Sequence, residues 1–195
     1  MGSALPWSVA AIALLALIAL AAGQRFGRAP ERSSAQQPVA STQGMAGRAP
    51  DISSLSPAER AERLYDRIMG AAERGRVDSV RFFMPMALQA YEALGPLTID
   101  QRYDLGRLAE VAGDPVIAKA QADTILRAQP QHLLGLLLSA RAARLRGDET
   151  DARRHLATIA RVVNAERQKQ LPEYLLHQND IDLAIAEWRQ LESAR

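Results

Sequence analysis

The side chains that carry most enzyme chemistry are scarce in this 195-residue chain, which has three histidines (His132, His155, His177) and no cysteine. Without Cys there is no disulfide framework, thiolate zinc site, iron–sulfur cluster or thiol nucleophile. His155 and His177 have no His or carboxylate at a ligand spacing that recurs, and they read as ordinary surface or half-buried residues. The sequence holds no nucleophile elbow, Walker loop, dinucleotide-binding turn or HExxH pair. Gly113-Asp114-Pro115 reads as a helix boundary and not as a phosphate cradle, and the acidic residues fall at caps and on helix faces. The expected class is a binding or structural protein rather than an enzyme, with no cofactor and no metal. Arginine is what the chain has in quantity: of 24 basic residues, Lys119 and Lys169 alone are lysines. The net charge of +2 is uneven, because Arg25, Arg28, Arg32, Arg48 and Glu31 give residues 1–50 a charge of +3 and leave −1 for the rest. A nucleic-acid-binding domain shows a basic face. Here the excess sits in a tail, so no nucleic-acid partner is expected.

The elements that must position any binding residues begin after an apolar segment. No charged side chain occurs from Met1 to Gln24, and Val9–Ala22 reads VAAIALLALIALAA. Taken as residues 4–23, the stretch has 20 residues, which at ~1.5 Å each spans about 30 Å, the thickness of a bilayer's hydrocarbon core. With no water there, a helix is the form that satisfies its own backbone, and Trp7 sits where an interfacial aromatic belongs. The segment 1–23 reads as a transmembrane anchor. A cleaved signal peptide is the alternative, favoured by the small residues Ala21-Ala22-Gly23 and opposed by an n-region, Met1–Ala4, with no Lys or Arg. Arg25, Arg28 and Arg32 follow the apolar stretch, so the positive-inside rule leans toward a cytoplasmic C-terminal domain and leaves an extracytoplasmic one open. Residues 24–55, rich in Ala, Ser, Gln, Pro, Gly and Arg, keep no apolar period and read as a disordered linker.

The folded part, 56–195, reads as all-α. Ser56-Pro57-Ala58-Glu59 is a capping-box start, and Leu64, Ile68, Ala71 and Ala72 follow at helical spacing. Gly113-Asp114 recurs 34 residues on as Gly147-Asp148, and Ala118 recurs as Ala152. Each Gly-Asp pair ends one helix and caps the next, Gly in the left-handed conformation and Asp accepting first-turn amides. Each Ala is small where two helices cross. Pro85 is expected to kink or locally end its helix. Phe82, Phe83, Met84 and Met86 around it read either as core or as an exposed docking surface.

The unit 99–132, with Leu105-Gly106, Gly113-Asp114, Ala118 and Pro130, and the unit 133–166, with Ala140, Gly147-Asp148, Ala152 and Leu156, resemble the tetratricopeptide repeat (TPR). A third match at 179–185, with Trp188, is read as the second helix of a last unit, and a degenerate first unit spans about 57–95, with Gly75 at its turn and Val80 in place of the small Ala. Pro172 shortens the last unit's first helix to about 171–178 and lets the preceding one run to about Lys169. The resemblance implies antiparallel helix pairs stacked as a short superhelix whose first helices line a concave groove. By position the groove residues are Tyr65, Met69, Tyr103, Arg107, Glu110, Leu137, Arg141 and Arg144. Their mix of flat aromatic, apolar and Arg groups suits an extended or helical peptide with an acidic element. The alternative for the arginines is pairing with neighbouring acids. The Lys/Asn carboxylate clamp of some TPR domains is absent. The expected function is a membrane-anchored scaffold or adaptor that binds a protein or peptide through this groove. The layout is also similar to extracytoplasmic assembly factors of the cytochrome c maturation type. A structural subunit of a membrane complex, packed through Ala10, Ala13, Ala16 and Ala19, is a third reading.

Overall fold

The computed structural model describes residues 55–194. The apolar segment 4–23 and all of the linker except Leu55 lie outside the described residues. Among the described residues no helix is long and apolar enough to cross a membrane. They form eight helices and no strand: α1 (Pro57–Glu73), α2 (Val77–Glu92), α3 (Ile99–Ala112), α4 (Pro115–Ala128), α5 (Leu133–Leu145), α6 (Glu149–Arg167), α7 (Pro172–Leu176) and α8 (Gln178–Ser193). Each helix from α1 to α5 packs on the next, and α3 also touches α1 and α5. α1, α3 and α5 therefore form one layer, with α2 and α4 each packed on two of its helices.

The turns explain the register. Gly113 and Gly147 both hold φ 76, a left-handed conformation that costs a residue with a Cβ ~1–2 kcal/mol. The following amides then reach back to equivalent carbonyls, Asp114 N–H to Ala109 at 2.8 Å and Asp148 N–H to Ala143 at 3.0 Å. The Asp side chains cap the next helices: Asp114 accepts from the Val116 and Ile117 amides at 2.9 and 3.0 Å, and Asp148 from the Asp151 amide at 2.9 Å. The degenerate first pair keeps the turn, with Arg76 N–H bonded to Ala71 at 2.9 Å, but Arg76 supplies no side-chain cap. The Ser56 capping box forms, and Thr98 with Gln101 makes a second one that opens α3.

Small residues set the helix spacing. Ala118, Ala152 and the substituted Val80 are buried. A Cβ built on Gly106 of α3 would lie 2.2 Å from Leu138 Cδ2 of α5, so these helices touch closely at that point. Of the two outcomes expected at Pro85, a kink or a local end, the helix does not end: α2 runs on through it to Glu92. Of its four bulky neighbours, Met84 is core, Phe83 is half-buried with the Arg67 guanidinium 4.7 Å from its ring centre, and Phe82 and Met86 are exposed.

The C-terminal region departs from the expected last repeat. Pro172 does shorten α7, to a little over one turn, and α6 does run long. But α8 packs on α6 and α5, the place that α5 takes toward α4 and α3. It thus joins the layer of first helices and is not the second helix of a fourth pair. The short α7 is held by a buried polar knot. The α5 N-cap, His132, makes no capping bond; the Tyr174 hydroxyl accepts from the Leu133 amide at 3.1 Å instead. That hydroxyl donates to Glu166 at 2.9 Å, and Lys169 completes the Glu166 site at 2.7 Å. His132, fully buried against the Tyr174 ring, has its pKa lowered by burial, against the pull of Glu173 3.2 Å away.

Two stability outcomes follow. Tyr174→Phe strands the Leu133 amide and one bond to buried Glu166, and it should cost about 1–3 kcal/mol in thermal unfolding. Gly106→Ala should lower Tm, because overpacking against Leu138 costs about 1–3 kcal/mol, more than the ~1 kcal/mol gained in helix propensity. Gly70→Ala, whose Cβ meets the movable end of Arg74 at 3.2 Å, should raise Tm.

Candidate functional site

Three helices bring charged side chains to one face. On α3, Asp100, Tyr103, Asp104, Arg107 and Glu110 fall at i, i+3, i+4, i+7 and i+10, which places them in one stripe. Leu137, Arg141 and Arg144 make the matching stripe on α5, and Asp180, Leu183, Ala184 and Glu187 that of α8. Between the three lies a groove of about 450 Å³. Five of the eight residues expected from the sequence line it together: Arg107, Glu110, Leu137, Arg141 and Arg144.

The other three stand elsewhere. Tyr103 is fully buried beneath α8 and offers the groove no surface; its hydroxyl donates to Asp180 at 2.6 Å, and burial with that carboxylate raises its pKa far above a phenol's. Met69 packs against the core. Tyr65 lines a separate opening of about 270 Å³ between α1 and α3, with Glu62, Tyr91, Asp100 and Asp104.

The groove arginines are met by carboxylates of the chain itself. Arg141 reaches Glu110 and Asp180, each at 3.1 Å. Arg107 pairs with Glu110 and lies 3.5 Å from Asp180. Arg144 forks onto Glu187, one arm at 3.1 Å, with Glu149 at 3.7 Å. Burial raises the Glu110 pKa, opposed by the Arg107 charge. What the groove leaves unpaired is apolar: Leu145 is 37% exposed and Leu183 66% exposed.

Sequence reasoning missed the α8 half of this site. Its one available signal was the seven-residue spacing of Asp180 and Glu187, opposite in sign to Arg141 and Arg144. It also missed the neighbourhood of His177, whose Nε2 lies 2.8 Å from Asp100 Oδ1 and 3.7 Å from Asp104 Oδ1. The imidazole meets the Tyr103 ring edge-on at 4.6 Å between centres. Among the described residues, Asp100, Asp104 and His177 are the group whose donor atoms, all within 4.8 Å, could hold a cation. Asp104 Oδ1 is buried without a hydrogen-bond partner, and burial together with the Asp100 charge pushes the Asp104 pKa up to about 7.

That shift has a sign. A carboxyl whose folded pKa lies above its unfolded value destabilises the fold as pH rises between the two, here from about 4 to about 7. In metal-free buffer at about pH 8, Asp104→Asn should therefore raise stability by about 1 kcal/mol or more, roughly 3 °C in Tm. At about pH 3, below both values, where the carboxyl is neutral folded and unfolded, the gain should vanish. No family model matches this chain, and no curated protein or solved structure matches it either, so its functional reading rests on this geometry.

Proposed function

We propose that residues 56–195 are a protein-interaction module of the tetratricopeptide type, held at a membrane by residues 4–23. It works as a scaffold or adaptor that binds a partner segment in the groove between α3, α5 and α8. The observation that carries this reading is the exposed pair Leu145 and Leu183, facing one groove above charges that are already paired. Large apolar side chains exposed in a concavity mark binding sites more than stability. The repeated Gly-Asp turn supports the repeat assignment, since two units 34 residues apart use the same φ and the same backbone bonds.

The internal ion pairs change the ligand expected of the groove. Arg107 and Arg141 have their carboxylates, so an acidic ligand has little to gain from them. Arg144, a third exposed at the rim with Glu187, is the charge a partner can still reach. The best fit is an extended or helical segment that places an apolar side chain between Leu145 and Leu183 and a polar group at the Arg144–Glu187 rim. Tethering at the membrane raises the groove's effective concentration for membrane-bound partners.

The test is purification of the tagged full-length chain from native membranes with quantitative mass spectrometry of what it retains. A partner held by the wild type should fall by about tenfold or more, ~1.4 kcal/mol, in Leu145→Asp/Leu183→Asp. Val116→Asp, on the exposed face of α4, should keep it. Identical partners in all three samples, with unchanged helix content by circular dichroism, would sink the groove.

A further inference from the structure

The carboxylates around α8 differ in one respect. Glu110, Asp180 and Glu187 each have a guanidinium partner. Asp100 and Asp104 have none within ion-pair distance; the His177 imidazole stands beside both, and the Arg107 charge acts on Asp104 from farther off. They sit one turn apart on the same face of α3, so their charges repel instead of cancelling. Asp104 Oδ1 is also sealed from solvent with no donor, an arrangement that costs free energy unless something positive meets it.

The donor set suits a metal cation. Two carboxylate oxygens and one imidazole nitrogen are common zinc ligands, at about 2.0–2.2 Å each, and three protein ligands with a water in the fourth place make an open tetrahedral site. Those bond lengths put neighbouring donors roughly 3.3 Å apart. Here His177 Nε2 stands 2.8 Å and 3.7 Å from the two carboxylate oxygens, and all three atoms lie within 4.8 Å. The terminal torsion of an Asp side chain is soft, so the remaining adjustment is a carboxylate rotation. The opening between α1 and α3 is lined by Asp100 and Asp104, the two carboxylates of the set.

We propose that Asp100, Asp104 and His177 form a divalent-cation site of the zinc class. The ion fastens the start of α8, through His177, to the first two turns of α3. It neutralises the two carboxylates that no arginine pairs with, and it stabilises the helix that forms one wall of the groove. The proposal does not depend on what the groove binds.

The experiment is calorimetric titration of Zn²⁺ into the full-length chain in detergent micelles, stripped with EDTA, at about pH 7.5. One Zn²⁺ per chain should bind and raise Tm. Loss of a ligand should weaken binding by at least the order of 10–100-fold seen for lost outer-shell partners, so His177→Ala and Asp104→Asn should each show that drop. Asp104→Asn is the decisive variant, because it keeps the shape of the side chain while removing the carboxylate charge, and unchanged helix content by circular dichroism separates lost binding from lost folding. His155→Ala, whose imidazole pairs with Asp151 elsewhere on the surface, should bind as the wild type does. Absence of saturable binding would overturn the proposal. So would Zn²⁺ held equally well by Asp104→Asn and His177→Ala, or held by the wild type and lost in His155→Ala.

Discussion

Asp180 is the joint at which the three helices around the groove meet. Its carboxylate, in the first turn of α8, accepts from the buried Tyr103 hydroxyl of α3 and from Arg141 of α5, with Arg107 of α3 beside it. Each donor would be costly to bury alone: an unpaired guanidinium or phenol in this setting gives up its water and gains nothing. One acid therefore satisfies groups from two other helices, and it does so only if α8 lies over α3 and α5 at one height. The helix macrodipole helps, since a carboxylate in a first turn sits at the positive end of its own helix.

Apolar burial and these charges do different work. Ile181 and Ala184 are buried, and Ile185, Trp188 and Leu191 pack against the core beside them. Removing such surface from water is what holds α8 in place, at about 25 cal/mol per Å². That term is nearly indifferent to a one-turn slide. The pairs Asp180–Arg141 and Glu187–Arg144 are not, because a slide would part both carboxylates from their guanidinium partners. Half-buried ion pairs add little net stability after desolvation, but a mispaired one is expensive. The geometry therefore assigns affinity to the apolar face and register to the acids.

The repeat was legible in the sequence because its turns use chemistry that few residues share. Gly takes a left-handed φ and Asp caps, so Gly113-Asp114 and Gly147-Asp148 stand out, and with them the layer of α1, α3 and α5. The stripe Arg107, Glu110, Leu137, Arg141 and Arg144 came with that layer. Thr98 and Gln101 form a capping box that went unread although its pattern is as local as that of Ser56 and Glu59. The rest was not local. His177 and Asp100 are 77 positions apart, and no spacing rule links them. Asn179–Ile185 has the residue types of a second helix, yet α7 is too short to pair with it, so α8 docks where a first helix would. Tertiary packing overrode the motif. Met69 and Tyr103 failed as groove residues for a related reason: helical position fixes a direction, while the neighbour decides whether that direction is open, and for Tyr103 the neighbour is α8.

The placement of α8 also decides what kind of groove this is. In a bare stack of helix pairs, arginines on the concave face would be free for an acidic ligand. Here α8 brings its own acids, so the arginine stripe is spent on assembly, and what the groove still exposes is Leu145 and Leu183 at its edge. In the function proposed above, specificity comes from shape and from one reachable rim charge rather than from a positive field. The acids at the other end of α3 invert the pattern: α8 offers Asp100 and Asp104 an imidazole but no guanidinium. The same helix thus closes one charged site with carboxylates and leaves the other short of positive charge. A cation at that second site would act on the first through the rigid length of α8 between His177 and Glu187.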